Sequence, residues 1–139
     1  MSCTAVSETA ENYLKLLWQF EEEGVKLVRI TEMGSKLDVS PSTAVEMLKK
    51  LEEKSFIVYE ARRGVMLTKK GREIGRRITR NHRLIELLMQ RTLRVSIDEG
   101  EACGMEHHMD KKFADALCTL LGHPDKCPHG KPIPSCGCH

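Results

Sequence analysis

Aromatic residues and long apolar runs are scarce in this chain. Phe, Trp and Tyr make up 4% of the 139 residues, which argues against the stacking platforms that bind single-stranded nucleic acids. Apolar runs without a charge are only a few residues long, so no segment is predicted to span a bilayer. The N-terminus also lacks the charged-then-apolar pattern of a signal peptide, and the protein is therefore expected to be soluble and cytoplasmic.

Cysteine and histidine are sparse in the first part of the chain and concentrated near its end. Five of the six cysteines and five of the six histidines follow residue 100. A secreted disulfide scaffold would distribute its cysteines along the chain, whereas clustered Cys and His in a cytosolic protein indicate metal or redox chemistry.

Basic residues are concentrated in the middle of the chain. Residues 25–83 carry 15 Lys and Arg against seven Asp and Glu, whereas both flanking segments are net acidic. This pattern predicts that the middle of the chain contacts a polyanion, although composition alone equally allows a solvated charged surface.

Apolar periodicity and capping signals predict a mostly α-helical chain that begins with a winged helix-turn-helix. Helices are predicted over residues 7–23, over 31–37 with Thr31 as cap, from Pro41 with Ser40 as cap, over 69–91, and over 102–121. Two strands, 56–60 and 65–67, are predicted to form a hairpin between the third and fourth helices.

Hydroxyl and charged side chains gather where a helix-turn-helix meets DNA, at the start of its second helix and at the tip of the wing. Small hydroxyls can contact bases or phosphates, a carboxylate can accept from a cytosine amino group, and basic side chains meet phosphates. A winged helix that binds only proteins is the alternative, but the basic segment coincides with the motif and favours DNA. The candidate DNA contacts are Ser40, Ser42, Thr43, Glu46, Lys49, Lys50, Arg62 and Arg63.

Thiolate, carboxylate and imidazole donors share a face of the predicted fifth helix. Cys103, Glu106 and His107 lie at positions i, i+3 and i+4, which are neighbours on a helix. With added oxygen ligands this set suits five- or six-coordinate Fe(II) or Mn(II), and the thiolate favours Fe(II), Co(II), Ni(II) or Zn(II).

A second pair of donors, His82 and Glu86, lies one turn apart on the predicted fourth helix. His82 interrupts an apolar stripe and therefore faces inward. A single inward histidine is usually a packing residue, but the carboxylate one turn further on favours a second metal site. Glu99 or Glu101 is the candidate third ligand.

The tail contains Cys127, His129, Cys136, Cys138 and His139 among prolines and glycines. These residues are candidates for a soft ion such as Zn(II), but their spacing differs from that of a zinc knuckle. An unstructured thiol-rich end and a redox-sensitive cysteine pair are the alternatives.

Taken in order, these motifs resemble the diphtheria-toxin-repressor family of metal-dependent transcription regulators, which includes the iron-dependent regulator and the manganese transport regulator. The resemblance covers about residues 7–134. Its segments are Thr9–Leu14, Asp38–Thr43, Leu67–Gly71, Asn81–Glu86, Glu101–His108 and Cys127–Pro134.

The resemblance implies a homodimer that binds a palindromic DNA operator and represses metal-uptake genes when it is loaded with metal. Fe(II) or Mn(II) is the implied corepressor, with Co(II), Ni(II) or Zn(II) as surrogates, and neither a membrane nor a small-molecule substrate is implied. The resemblance assigns Cys103, Glu106 and His107 to the family's primary metal site, and His82 and Glu86 to its ancillary site.

The chain departs from the family pattern in three places. Asn12 stands where the family has a Met or Asp ligand, Glu99 stands near a histidine of the iron-type ancillary site, and the chain stops where many iron-type relatives continue into an SH3-like domain. The position of Cys103 carries Cys in iron-type and Glu in manganese-type members, so the resemblance implies iron before manganese.

We therefore expect a winged helix-turn-helix in residues 1–74, a helical dimerisation and metal-binding domain in residues 75–122, and a Cys/His/Pro-rich tail in residues 123–139. The alternative function is a metal-free regulator that senses oxidants through its thiols. An enzyme is not expected, because no separate acid–base pair accompanies the metal donors.

Overall fold

A computed structural model of the chain describes residues 7–135. Residues 7–76 and residues 77–135 belong to two compact units, which meet between Arg76 and Arg77 inside one long helix. No helix in residues 7–135 is both long enough and apolar enough to cross a membrane.

The first unit is the predicted winged helix-turn-helix. Its elements are α1 (Glu8–Glu22), α2 (Ile30–Leu37), α3 (Pro41–Glu53), β1 (Ile57–Glu60), β2 (Gly64–Leu67) and the first part of α4 (Lys69–Leu87). Side-chain caps start α1 and α3: the Ser7 hydroxyl accepts from the Ala10 backbone N–H, and the Ser40 hydroxyl, the predicted cap, accepts from that of Thr43.

The hairpin and three helices enclose one apolar core. Antiparallel pairing aligns Ile57 with Leu67 and Glu60 with Gly64, so three residues form the tip of the wing. Val28 exchanges two backbone hydrogen bonds with Val65 and adds a short third segment to this sheet. The largest completely buried side chains of this core are Leu14, Leu17, Met33, Leu48, Leu51 and Ile57.

Two glycines allow α4 to approach its neighbours closely. A Cβ on Gly71 would overlap the backbone carbonyl of Phe56, and a Cβ on Gly75 would lie 2.5 Å from the carbonyl oxygen of Leu14. Because the two glycines are four residues apart, they form one small face of α4 against α1 and the start of the hairpin.

The second unit contains the rest of α4, a π-helical turn (Leu88–Thr92), α5 (Glu99–Glu106) and α6 (Lys111–Leu120). The following segment, up to residue 135, has no helix but packs on the unit. The Arg83 guanidinium donates to the Pro132 carbonyl at 2.6 Å, and Cys127 is buried. The core of this unit consists of Leu84, Ile85, Leu87, Met89, Ala102, Met109, Ala114, Leu117, Cys118 and Leu121.

The structure corrects two predicted helices. The single helix predicted over 102–121 is wrong: α5 ends at Glu106, and α6 starts after Asp110, whose carboxylate accepts from the Phe113 backbone N–H. Thr31 is not the cap of α2. This helix starts at Ile30 without a side-chain cap, two residues after Val28, which pairs with Val65 of β2. A local cap at Asp110 therefore starts α6, whereas the pairing of Val28 with Val65, distant in sequence, precedes α2.

Candidate metal centres and DNA-binding surface

Cys103, Glu106 and His107, here called the α5 cluster, come together at the C-terminal end of α5. Their ligand atoms lie within 4.8 Å of one another, and Glu106 Oε1 is 3.5 Å from His107 Nε2. The Glu106 side chain is completely buried, that of His107 is 3% exposed, and the half-buried Cys103 thiol forms no disulfide. The cluster thus presents a sulfur, an oxygen and a nitrogen donor to one point, as the spacing predicts.

A second set of donors surrounds Glu86. This Glu86 cluster consists of two overlapping triads, His82 with Glu86 and Glu99, and Glu86 with Cys127 and His129; the ligand atoms of each triad lie within 4.8 Å of one another. Glu86 Oε2 is 3.6 Å from His82 Nε2 and 3.4 Å from His129 Nδ1. Glu86 and the tail residues Cys127 and His129 were expected in different sites, whereas the fold brings these three together.

Burial raises the pKa of the Glu86 carboxyl to about 7, and a hydrogen bond with Glu99 adds to the rise, whereas His82 and His129 oppose it. The same hydrogen bond is the main reason why the pKa of Glu99 is lowered. In the metal-free protein, therefore, the Glu86 carboxyl is largely protonated below about pH 7. A bound cation could replace this proton and neutralise the buried Glu86 carboxylate.

The donor chemistry of both clusters fits a divalent transition ion. Glu86 Oε2 is buried and has no hydrogen-bond partner among the described residues, and imidazole nitrogens of His129 and His82 lie 3.4 and 3.6 Å away. Buried carboxylate oxygens are normally hydrogen-bonded or bound to a metal. Imidazole and thiolate together suit Fe(II), Co(II), Ni(II) and Zn(II), and a carboxylate also suits Mn(II).

His82 belongs to the Glu86 cluster and also contacts the α5 cluster. Its Nε2 is 3.1 Å from Glu99 Oε2 in the Glu86 cluster, and its Nδ1 is 3.0 Å from Glu106 Oε2 in the α5 cluster. A metal-bound imidazole usually has a carboxylate or carbonyl at its second nitrogen, and here that carboxylate is itself a candidate ligand.

The predicted DNA contacts form an exposed polar surface on the first unit. At the start of α3 the Ser40 hydroxyl donates to Thr43 Oγ1 at 2.9 Å and lies 3.1 Å from the Ser42 hydroxyl. Arg63 pairs with Glu60 at 3.0 Å at the tip of the wing. All eight predicted residues are exposed: Ser40, Ser42, Thr43, Glu46, Lys49, Lys50, Arg62 and Arg63.

The remaining predicted ligands are Asn12 on the first unit and three residues of the tail. Asn12 is half-buried on α1, where it lines a cavity of about 340 Å³ together with Thr43, Glu46 and Lys50 of α3. Cys136, Cys138 and His139 fall outside the described residues. Asn81, by contrast, contacts the backbone of the α5 cluster, and the sequence analysis did not identify it because a buried amide on a helix has no characteristic sequence signal.

Comparisons with known proteins match both units. The N-terminal DNA binding domain of iron dependent repressors matches residues 5–65, and their metal binding and dimerisation domain matches residues 68–135. The iron-dependent repressor IdeR of Mycobacterium tuberculosis is 33% identical over 129 residues, which are 91% of this chain and 56% of IdeR. The chain thus spans little more than half the length of that relative.

A shorter relative and a solved structure agree with this match. The transcriptional regulator MntR of Bacillus subtilis is 30% identical over 116 residues, which cover 80% of this chain and 78% of MntR. A manganese-dependent transcriptional repressor, solved in complex with manganese, superposes with a TM-score of 0.81 at 32% identity, covering 91% of this chain and 58% of that one.

These relatives are named as repressors or regulators, which agrees with the prediction that the chain is not an enzyme. The chain therefore belongs to the iron-dependent repressor family, the diphtheria-toxin-repressor family that its sequence motifs resemble.

Proposed function

We propose that this chain is a metal-dependent transcriptional repressor that binds operator DNA as a homodimer when its metal centres are occupied. The observation that carries the proposal is the buried α5 cluster, in which thiol, carboxyl and imidazole converge on a chain that also contains an exposed helix-turn-helix surface. Control of metal uptake is the corresponding role, because a regulator that needs the metal reports on its supply.

Fe(II) is the first candidate corepressor and Mn(II) the second, with Co(II), Ni(II) and Zn(II) as surrogates. The thiol of Cys103 supports iron, because manganese prefers oxygen ligands. The bound ion would supply positive charge that holds Cys103, Glu106 and His107 together, and Glu86 with its neighbours would hold a second ion. The variant Asn12→Ala tests the additional amide ligand that the family resemblance implies.

The α3 surface is the proposed base-reading element. Ser40, Ser42, Thr43 and Glu46 lie at the exposed start of α3, the end of a recognition helix that reaches base edges. Lys49 and Lys50 further along α3, and Arg62 and Arg63 on the wing, are the proposed phosphate contacts. A palindromic operator follows from the homodimer, because two copies related by a twofold axis meet two equivalent half-sites.

The homodimer is supported by apolar side chains that the second unit leaves on its surface. Phe113 is 57% exposed and Leu120 is 65% exposed on α6, a helix of the segment that matches the metal binding and dimerisation domain. The two side chains are seven residues apart and therefore lie on one face of α6. Exposed aromatic and aliphatic side chains that share a face are typical of a protein–protein interface.

The test is an anaerobic titration of operator DNA, followed by fluorescence anisotropy, with excess Fe(II), Mn(II), Co(II), Ni(II) or Zn(II) and with chelator. We expect tight binding only with metal and the largest effect with Fe(II). The variant Cys103→Ala should weaken activation by metal, whereas Arg62→Ala should weaken DNA binding and leave metal affinity unchanged. Equal operator affinity with Fe(II) and with chelator would refute the proposal.

A metal-free thiol sensor is not favoured, because Cys103 and Cys127 both lie among carboxylate and imidazole donors. Operator binding that responded to peroxide in metal-free buffer would support that alternative instead.

A further inference from the structure

Asn81 on α4 is completely buried and contacts the segment that carries the α5 cluster. Its side-chain amide donates one hydrogen bond to the Glu106 carbonyl at 2.9 Å and another to the Met109 carbonyl at 3.1 Å. No motif of the sequence analysis assigned a role to this side chain.

The two carbonyls that Asn81 binds lie on either side of His107. Since α5 ends at Glu106, the last carbonyls of the helix have no intrahelical partner and need donors from elsewhere. Asn81 supplies these donors at the place where the chain leaves α5, and it thereby fixes the backbone from Glu106 to Met109. Two candidate ligands of the α5 cluster, Glu106 and His107, lie on this short stretch.

The same turn of α4 also contacts the side chain of Glu106. His82, the residue after Asn81, places its Nδ1 3.0 Å from Glu106 Oε2. The backbone and the carboxylate of Glu106 are therefore both held from α4, and the ligand geometry of the α5 cluster depends on groups outside the metal's immediate reach.

We propose that Asn81 is a positioning residue for the α5 cluster. It does not bind the ion; it holds Glu106 and His107 in place before the ion arrives, so that binding does not have to order this part of the chain. Groups that orient metal ligands typically change metal affinity 10- to 100-fold when they are removed. The inference rests on the proposed function, because it requires that the α5 cluster binds a metal ion.

Each cluster contains one thiol, which allows the two to be measured separately with Co(II). Thiolate-to-cobalt charge transfer would report the α5 cluster through Cys103 when Cys127 is changed to Ser, and the Glu86 cluster through Cys127 when Cys103 is changed to Ser. Both backgrounds are full-length chains that also carry Ser at positions 3, 136 and 138.

The decisive substitution is Asn81→Leu, which keeps the volume and removes both donors. We expect the Co(II) affinity of the α5 cluster to fall 10- to 100-fold and that of the Glu86 cluster to change less than threefold. The variant Asn81→Ser retains one shorter donor; we expect an intermediate loss, and it replaces Asn81→Leu if that variant does not fold.

The matched control is Thr79→Val, because Thr79 is an equally buried polar residue of α4 whose hydroxyl has no hydrogen-bond partner among the described residues. It should change neither affinity. Unchanged affinity of the α5 cluster in the Asn81 variants, or an equal loss at both clusters, would overturn the positioning role. Absence of a charge-transfer band from Cys103 in the parent background would overturn the proposed function itself.

Discussion

Replacing Glu86 with Gln should have opposite effects on stability in the absence and in the presence of metal. Glu86 belongs to both triads of its cluster, so its substitution removes a candidate ligand from both. Its side chain is 3% exposed, and burial raises the pKa of its carboxyl to about 7. The substitution removes the carboxylate with almost no change in volume.

The metal-free effect follows from the pKa of Glu86. A rise from 4.5 to about 7 corresponds to roughly 3 kcal/mol, at about 1.4 kcal/mol for each tenfold change in proton affinity. Because the folded pKa is the higher one, the unfolded chain loses this proton first, and stability falls between about pH 4.5 and pH 7. The lowered pKa of Glu99 affects stability only below about pH 4.5. Its contribution is therefore the same at pH 5 and at pH 8, the two conditions of the assay. His82 and His129 face the side chain at position 86 in both proteins, so the comparison is made between variant and wild type.

In chelator at pH 8, Glu86→Gln should therefore be more stable than the wild type by up to about 3 kcal/mol, and at pH 5 by less than about 1 kcal/mol. With metal at 100 times its dissociation constant, the wild type should gain about 2.7 kcal/mol from this cluster and the variant should gain much less.

The assay is urea unfolding at each pH, with chelator and with anaerobic Co(II). The control is Glu73→Gln, on an exposed carboxylate of the same helix, which should change stability by less than about 0.5 kcal/mol. A variant that is less stable than wild type in chelator at pH 8, or that gains equally from Co(II), would refute the reasoning.

Three further substitutions test the fold and the assembly. Gly71→Ala should destabilise the chain by about 3 kcal/mol in urea unfolding, because the new methyl group would overlap a backbone carbonyl. Gly104→Ala in α5 should instead stabilise the chain by up to about 1 kcal/mol, because a Cβ at this position meets nothing within 4 Å. Ser40→Ala removes the cap of α3 and should lower the free energy of unfolding by about 1 kcal/mol, measured in the same way; no change would mean that the cap does not contribute. Phe113→Glu should shift sedimentation towards the monomer, whereas Val58→Glu, at an exposed apolar residue of the wing, should not; a dimer that survives Phe113→Glu excludes this side chain from the interface.

The helix ends that were predicted correctly depend on residues close in sequence. The Ser40 hydroxyl, which accepts a backbone N–H three positions later, defines the start of α3 as predicted, and the predicted hairpin needs only its own two strands. The break between α5 and α6 has one local and one distant determinant. Asp110 caps the start of α6, a signal that the predicted single helix overlooked, and the amide that satisfies the end of α5 comes from Asn81, 25 positions before Glu106.

The same distinction holds for the candidate metal centres. The amino-acid sequence by itself determined the winged helix-turn-helix, its exposed polar surface on α3, and the convergence of Cys103, Glu106 and His107, because the pitch of a helix brings residues three and four apart onto one face. Only the tertiary structure decided that Glu86 joins Cys127 and His129 as well as His82 and Glu99. Those contacts depend on how α4, α5 and the segment after α6 pack around one core, which no local spacing encodes.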